Sequence, residues 1–431
     1  ILRLWNMVKK KEKTIRQSME KVNWDFGDYN TSKYPLDLNS IPWYPATFPA
    51  PIPKYLIGLL SEPGDIVFDP FGGKGTTAVE ALKQRRKFIY NDLNPHAISI
   101  MRCLLNAMSQ DNDEDKILRI VETDKKAFAM ACVIGDTQVY EGKEEKTIIS
   151  RLPANILDEL AARNIKQESI YWFHSDTLIE LIKLYDYINE FNDAEKGIRK
   201  LGFLSILKEV CSQRGHFSYV TDNCRPLEMR YYNAINAYLE MLERVQRACI
   251  DFIRQYSVIN KTDDLQEIAR ECQIFAGDAR DCSYIADDSV DLVITSPPYL
   301  CAQDYILTMR LNDFFYPDVG FDDLPFQEIG PRRLRRRPGI VDLYFEDIET
   351  VLKEIYRVLK NNSYFCLIIG QGRGKVSDGI EIIKKVMQSA ESIGFNEIFK
   401  TTRNISYRTN RIGGVDKEDL ILYKKKNIFS Q

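Results

Sequence analysis

Apolar positions in this chain come in two textures. Short unbroken apolar runs that end at glycine or proline alternate with longer stretches in which apolar residues recur every three or four positions. In GDIVFDPFGGKGTTAVEALKQRRKFIYNDLNPHAISI (Gly64–Ile100), Ile66, Val67 and Phe68 form a strand-like run that stops at Asp69 and Pro70. A helix is expected over Thr76–Lys83 behind the glycines, and a second strand from Lys87 to Tyr90, with Asp92 at its end. The same texture returns in CQIFAGDARDCSYIADDSVDLVITSPPY (Cys272–Tyr299), which reads as two further strands. A helix over Tyr344–Lys360, a strand over Ser363–Gly370, a helix from about Gly379 to Ile393 and a closing pair of strands complete the pattern. Strands alternating with helices predict an α/β, doubly wound sheet, with an antiparallel finish from the last two strands.

Between these blocks the texture is helical. SDTLIELIKLYDYI places Leu178, Leu181, Ile182, Tyr185 and Ile188 on one face, with Ser175 or Asp176 as the expected N-cap. RYYNAINAYLEMLERVQRACIDFI repeats the pattern through Tyr231, Ile235, Tyr238, Leu242 and Val245. The expected organisation is therefore a sheet-forming segment 1–104, a mostly helical insertion 105–265 and a second sheet-forming segment 266–431. The N-terminal 40 residues look too short and irregular for an RNA-binding module.

Composition narrows the class. At 431 residues the chain exceeds one ordinary core, and 44% hydrophobic with 28% charged residues describes a soluble globular protein. Because it starts at Ile1 rather than Met, a preceding segment is expected. No run approaches the roughly 20 apolar residues that span a bilayer, so no membrane association is expected. The nine cysteines are scattered without a CxxC pair, which favours reduced thiols in a cytoplasm. With the three histidines His96, His174 and His216 far apart, no metal centre is expected, and His174 reads as a structural histidine. A net charge of −3 confines any polyanion site to a local patch.

The stretch DLVITSPPYLCAQDY (Asp291–Tyr305) poses a chemical question. Pro297 and Pro298 cannot donate to a sheet ladder, so the strand must end before them, in a stiff arch with outward carbonyls beside Tyr299. In DPFGGKGTT, Gly73 and Gly75 allow the tight turn and close backbone approach that a nucleotide-like ligand needs at a strand's carboxyl end. A carboxylate about 20 residues further on takes ribose hydroxyls in such sites, and Asp92 stands there. A phosphate-binding P-loop is excluded by order, since Gly75 intervenes between Lys74 and the threonines.

Together these motifs resemble those of the amino-directed DNA methyltransferases, which use S-adenosylmethionine to methylate the exocyclic nitrogen of cytosine or adenine. The resemblance covers Trp43–Leu104 and Cys272–Lys425 and implies a Rossmann-like methyltransferase sheet. It implies that Thr47, Phe48 and Pro49 close over the methionine end of the cofactor. Asp69, Phe71, Gly73, Gly75, Thr76 and Thr77 would border it. Asp92 with Asn94 would hold the ribose, and Asp278 and Ala279 would read the adenine. Ser296, Pro297, Pro298 and Tyr299 match the catalytic tetrapeptide. A base amine is a poor nucleophile because its lone pair is delocalised into the ring. If the Ser296 side chain and the Pro297 carbonyl accept its two hydrogens, the nitrogen can pyramidalise. Tyr299 would stack on the flipped-out base. The Pro-Cys pair of carbon-5 cytosine methylation is absent, with Tyr299 in the nucleophile's place and Cys301 two residues late.

The serine in first position favours cytosine N(4) over adenine N(6). A tRNA guanine-N(2) methyltransferase and a non-catalytic cofactor-binding regulator are the rival readings. The cluster PRRLRRRPG, carrying Arg332, Arg333, Arg335, Arg336 and Arg337, reads as a phosphate-contacting loop or a solvated surface loop. QRGHFSYVTDNCRPLEMR, with Arg214 and Arg225, either reads bases or joins two helices. The helical insertion is the expected target-recognition domain, double-stranded DNA the expected partner, and a cognate restriction endonuclease a further one.

Overall fold

The computed structural model describes residues 2–26, 37–41, 44–45, 47–109, 114–129, 139–142, 144–213, 225–318, 320–371, 379–405 and 417–426. Seven strands form one sheet: β1 (Ile66–Asp69), β2 (Lys87–Asp92), β3 (Gln273–Ala276), β4 (Val290–Thr295), β5 (Leu359–Gly370), β6 (Phe395–Asn404) and β7 (Lys417–Lys425). Their spatial order is β3-β2-β1-β4-β5-β7-β6, with β7 antiparallel to both its neighbours and the rest parallel. From β1 the chain winds outward to β2 and β3, then returns to lay β4 on the other side of β1. The strand order thus reverses between β1 and β4, and their carboxyl ends flank the crevice where an open α/β sheet binds ligands.

Successive side chains of a strand point to opposite faces, and the cores follow that alternation. Val67, Tyr90, Leu292, Ile294 and Cys366 enter one core, whereas Phe68, Ile89, Val293, Phe365 and Leu367 enter the other. The second core is closed by α9 (Ile340–Val358) and α10 (Ile382–Ile393). The first is covered by α2 (Pro51–Leu60), α3 (Thr76–Lys83) and α4 (Pro95–Met108). It then continues without a break into α5 (Glu114–Phe128), α6 (Ser175–Asn189), α7 (Asp193–Val210) and α8 (Ala234–Asn260). The segment after β2 is therefore helical, and its apolar faces extend the sheet's own core.

That extension encloses a polar knot. Asp124 and Arg199, both essentially inaccessible, pair at 2.9 Å, and the hydroxyls of Tyr187 and Tyr238 donate to the same carboxylate at 2.9 and 2.7 Å. A buried ion pair persists only when its remaining hydrogen-bonding capacity is met, as here.

Several sequence expectations shift. The N-terminal region contains a 19-residue helix, α1 (Leu2–Glu20), where irregular chain was expected, and Glu12 on it pairs with Lys424 of β7 at 2.8 Å. The N-cap of α6 is the His174 side chain, whose Nδ1 accepts the Asp176 N–H at 3.2 Å, in place of Ser175 or Asp176. Tyr231 precedes α8, because Asn233 caps that helix; its hydroxyl donates to Glu180 at 2.8 Å instead.

Candidate active site at the carboxyl ends of β1, β2 and β4

The glycine turn leaves β1 at Asp69 and is folded by three contacts. Gly72 N–H donates to the Asn91 carbonyl and Gly75 N–H to the Gly72 carbonyl, each at 2.8 Å. The Tyr90 hydroxyl donates to the Gly73 carbonyl at 2.5 Å. Gly73 (φ 52°) and Gly75 (φ 92°) occupy the left-handed region that favours glycine. Gly72 is the tightest position: a Cβ there would lie 2.1 Å from the Tyr90 ring. Glycine at 72 is therefore required by the close packing of Tyr90 on the turn.

Two buried carboxylates organise the turn. The Asp69 carboxylate accepts from the hydroxyls of Thr77 (2.8 Å) and Thr295 (2.6 Å) and from the Phe71 N–H (3.1 Å). It thereby bolts α3 and the glycine turn of β1 to the last residue of β4, immediately before Ser296. Burial pushes its pKa up to about 6, against the three hydrogen bonds it accepts. Asp92, at the end of β2, accepts from Gly73 N–H and Asn94 N–H at 2.8 Å each. Burial raises it to about 6 as well.

The arch after β4 is pinned at several points. The Tyr344 hydroxyl donates to the Pro298 carbonyl at 3.1 Å, and the Tyr299 carbonyl accepts the Ala302 N–H at 3.0 Å. The Ser296 and Tyr299 hydroxyls lie 3.3 Å apart, and the Tyr299 hydroxyl donates to Glu418 of β7 at 2.7 Å. Burial, then the Glu418 charge, lifts the Tyr299 phenol well above its usual range. Ser296 remains partly exposed. The glycine turn and the tetrapeptide thus emerge side by side from adjacent parallel strands.

The other expected residues distribute unevenly. Thr76 opens α3, and its hydroxyl is buried without a hydrogen-bond partner. Phe71 is half-buried against the second core. Thr47, Phe48 and Pro49 lie half-buried ahead of α2, while contact with the glycine turn comes from Tyr44, 3.3 Å from where a Gly73 Cβ would stand. Asp278 reaches the crevice end, since Gly277 N–H donates to the Asp92 carbonyl at 3.1 Å. Its carboxylate, however, is engaged by Arg280 at 2.5 Å, and the Ala279 methyl belongs to the second core. Among the arginines, Arg332 N–H donates to the Gln303 carbonyl (3.0 Å) and Arg333 N–H to Asp304 (2.9 Å). Their loop is therefore tied to the segment that follows Tyr299. Arg333 stacks on Phe326 at 4.2 Å, and Arg335, Arg336 and Arg337 are exposed. Arg225 is exposed and stacks on Tyr171 at 3.8 Å; Arg214 lies outside the described residues.

Sequence reading missed Tyr44, Glu328 and Glu418. Glu328 Oε1 accepts the Ile306 N–H at 2.5 Å, while its Oε2 is buried without a partner. Burial pushes this carboxyl up to about 8, and Asp92 is among the charges that raise it further. Nothing local in the sequence marks Glu328 as part of this crevice. Unmet buried oxygens on Thr76, Asn91 and Glu328 fit a polar nucleoside ligand. Among the described residues, no group of three or more His, Cys, Asp or Glu could hold a metal, and no helix is long and apolar enough to cross a membrane.

Comparison with known proteins shows what the chain is similar to. Residues 3–102 match the family model described as DNA methylase. The Type II methyltransferase M.PvuII of Proteus hauseri is 40% identical over 86 residues, 20% of this chain and 26% of that protein. The Type II methyltransferase M.MjaII of Methanocaldococcus jannaschii is 22% identical over 455 aligned positions, covering 91% of this chain and 81% of that protein. A Homo sapiens tRNA (guanine(37)-N(1))-methyltransferase is 27% identical over 198 residues, 42% of this chain and 35% of that enzyme. The chain thus spans well under two thirds of the length of M.PvuII and of the human enzyme. With its D-P-F-G-G-K-G turn and S-P-P-Y arch joined through Asp69, the chain is similar to the DNA methylase family over residues 3–102 and to Type II methyltransferases over parts of its length.

Proposed function

We propose that this chain methylates the exocyclic amine of a base flipped out of double-stranded DNA, cytosine N(4) being the favoured target and adenine N(6) the alternative. One observation carries the reading: the Asp69 carboxylate spans Thr77 and Thr295, so the ligand turn and the amine-accepting arch form one rigid unit. S-adenosylmethionine, when bound, supplies the electrophilic methyl group. Gly73, Asp92 and Asn94 would hold its ribose, and Thr76 and Glu328 would meet its polar edges. Phe71, Tyr44 and the Thr47–Pro49 segment would wall the remaining sides.

On the substrate side, Ser296 Oγ and the Pro297 carbonyl accept the two amine hydrogens, and the nitrogen lone pair is left to attack. The two prolines remove the backbone freedom that would let those acceptors drift. Tyr299 offers a ring face to the extruded base. Arg335, Arg336 and Arg337, exposed on a loop tethered beside Tyr299, suit phosphate contacts. The helical region 105–265 would carry target recognition, and a cognate restriction endonuclease would complete a restriction-modification pair. The test is transfer of labelled methyl to duplex DNA by the wild-type chain and by Ser296→Ala. Activity in the first and a loss of roughly 100-fold or more in the second is expected; equal transfer by both would overturn the reading.

A further inference from the structure

The hydroxyls of the tetrapeptide do not end at Ser296. Tyr299 links that serine to Glu418, and Glu418 Oε1 is paired with Arg403. Arg403 and Glu418 face each other directly across the antiparallel β6–β7 pair, 4% and 6% exposed. The guanidinium is used up further: its Nε donates to the Trp24 carbonyl at 3.0 Å and an Nη to the Asp25 carbonyl at 3.5 Å. Asp25 in turn accepts from the Asn404 backbone (2.7 Å) and side chain (3.0 Å). The segment after α1 thus clamps the end of β6, and the clamp fixes a charged pair behind the catalytic arch.

Proton accounting along this chain has one solution. A carboxylate paired with arginine only accepts, so the Tyr299 hydroxyl must donate to Glu418. That hydroxyl has a single proton, so in its contact with Ser296 it must accept. Ser296 then spends its only proton on Tyr299 and presents lone pairs alone to the crevice. We propose that Glu418, held by Arg403, is a positioning residue that sets the polarity of the Ser296 hydroxyl and so makes the site select a base carrying an exocyclic amine over one carrying an exocyclic carbonyl. This rests on the methyltransferase reading above and extends it to substrate choice. An amine offers two hydrogens to such an acceptor pair, whereas a carbonyl at the same place sets lone pair against lone pair.

Glu418→Gln is the discriminating variant. Arg403 retains the amide oxygen of the new side chain, which turns the amide nitrogen toward Tyr299 and reverses every donor in the chain. The change leaves Arg403 buried without a counter-charge, so a lower unfolding temperature is expected. Assayed well below that temperature, the variant should keep its dissociation constant for S-adenosylhomocysteine and show a kcat on duplex DNA roughly 10- to 100-fold lower. Tyr299→Phe should lower kcat by a similar factor, and the double variant should be no slower than the worse single one. With the target base mapped, wild type should bind a single strand carrying the target cytosine more tightly than the same strand carrying uracil there, a comparison free of base-pair opening, and Glu418→Gln should lose that preference. A Glu418→Gln variant with wild-type kcat and base preference, or losses that multiply in the double variant, would overturn the relay while leaving the methyltransferase reading intact. A wild-type chain that methylates no DNA would overturn that reading, and the relay with it.

Discussion

Replacing Asp92 by asparagine keeps the shape of the position proposed to hold the ribose and removes its charge. In the free protein the carboxylate accepts two backbone N–H groups at 2.8 Å, yet burial still holds its pKa at about 6, against an ordinary 3.8. The sign of the stability effect follows. A raised carboxyl contributes stability below its unfolded pKa, and that contribution is lost as pH rises through about 6. Two units of displacement correspond to roughly 3 kcal/mol. Ligand binding runs the opposite way, because two ribose hydroxyls need an acceptor and only the ionised carboxylate accepts on both oxygens. Affinity for the cofactor should level off above about pH 7 and approach a tenfold fall per unit below about pH 5. Glu328, Tyr44 and Tyr90 share this charge environment, and Asp69 titrates near the same pH; Asp69, though, turns its accepting oxygens on Thr77, Thr295 and Phe71. Calorimetric titration with S-adenosylhomocysteine between pH 5 and 8, in buffers of different ionisation enthalpy, reads both affinity and protons released. Expected is a wild type about fivefold weaker at pH 5 than at pH 6 and about tenfold weaker than at pH 7, with proton release on binding at the lower pH. Asp92→Asn should bind weakly at every pH and show no slope. A wild-type slope surviving in Asp92→Asn, or a flat wild-type profile from pH 5 to 7, would refute the assignment.

Gly72→Ala would drive a methyl group into the Tyr90 ring, which is buried and tied by its hydroxyl to Gly73; equilibrium dialysis should show at least a tenfold loss of cofactor affinity, roughly the 1–3 kcal/mol of an overpacked site. Asp69→Ala strands two buried threonine hydroxyls and should lower stability in urea by roughly 3–6 kcal/mol, with a coupling to Thr295→Val of about 1–2 kcal/mol in a double-mutant cycle. Away from the site, Arg199→Met leaves Asp124 charged and buried, and should cost about 3–5 kcal/mol in the same assay. Adding Asp124→Leu should recover part of that loss.

What could be read from the chain was local in origin. The α3 helix follows from glycines that cannot extend a strand and from apolar residues at helical spacing; the position of Asp92 follows from the length of one helix and one strand. The placement of Ser296 beside the glycine turn follows from parallel pairing of β1 and β4, which the alternation of strands and helices already implied. What escaped has no local signature. Glu418 lies in the final strand, and it reaches Tyr299 only because β7 folds back antiparallel on β5. Arg403 reads as an ordinary strand cation until β6 sets it opposite Glu418. His174 capped α6 through an aromatic nitrogen, where the familiar serine and aspartate stand one and two residues later. The α1 helix is seen only once folded, packing on β6 and placing Ile15 and Met19 in the first core.

Addition of a methyl group to a base amine in DNA leaves a product that can be identified outright. Duplex DNA is incubated with the purified chain and S-adenosylmethionine, digested to nucleosides and resolved by mass spectrometry. N(4)-methylcytosine is expected, and it should be absent from the Ser296→Ala digest. A digest with no methylated nucleoside, alongside methylguanine in tRNA treated in parallel, would contradict this reading.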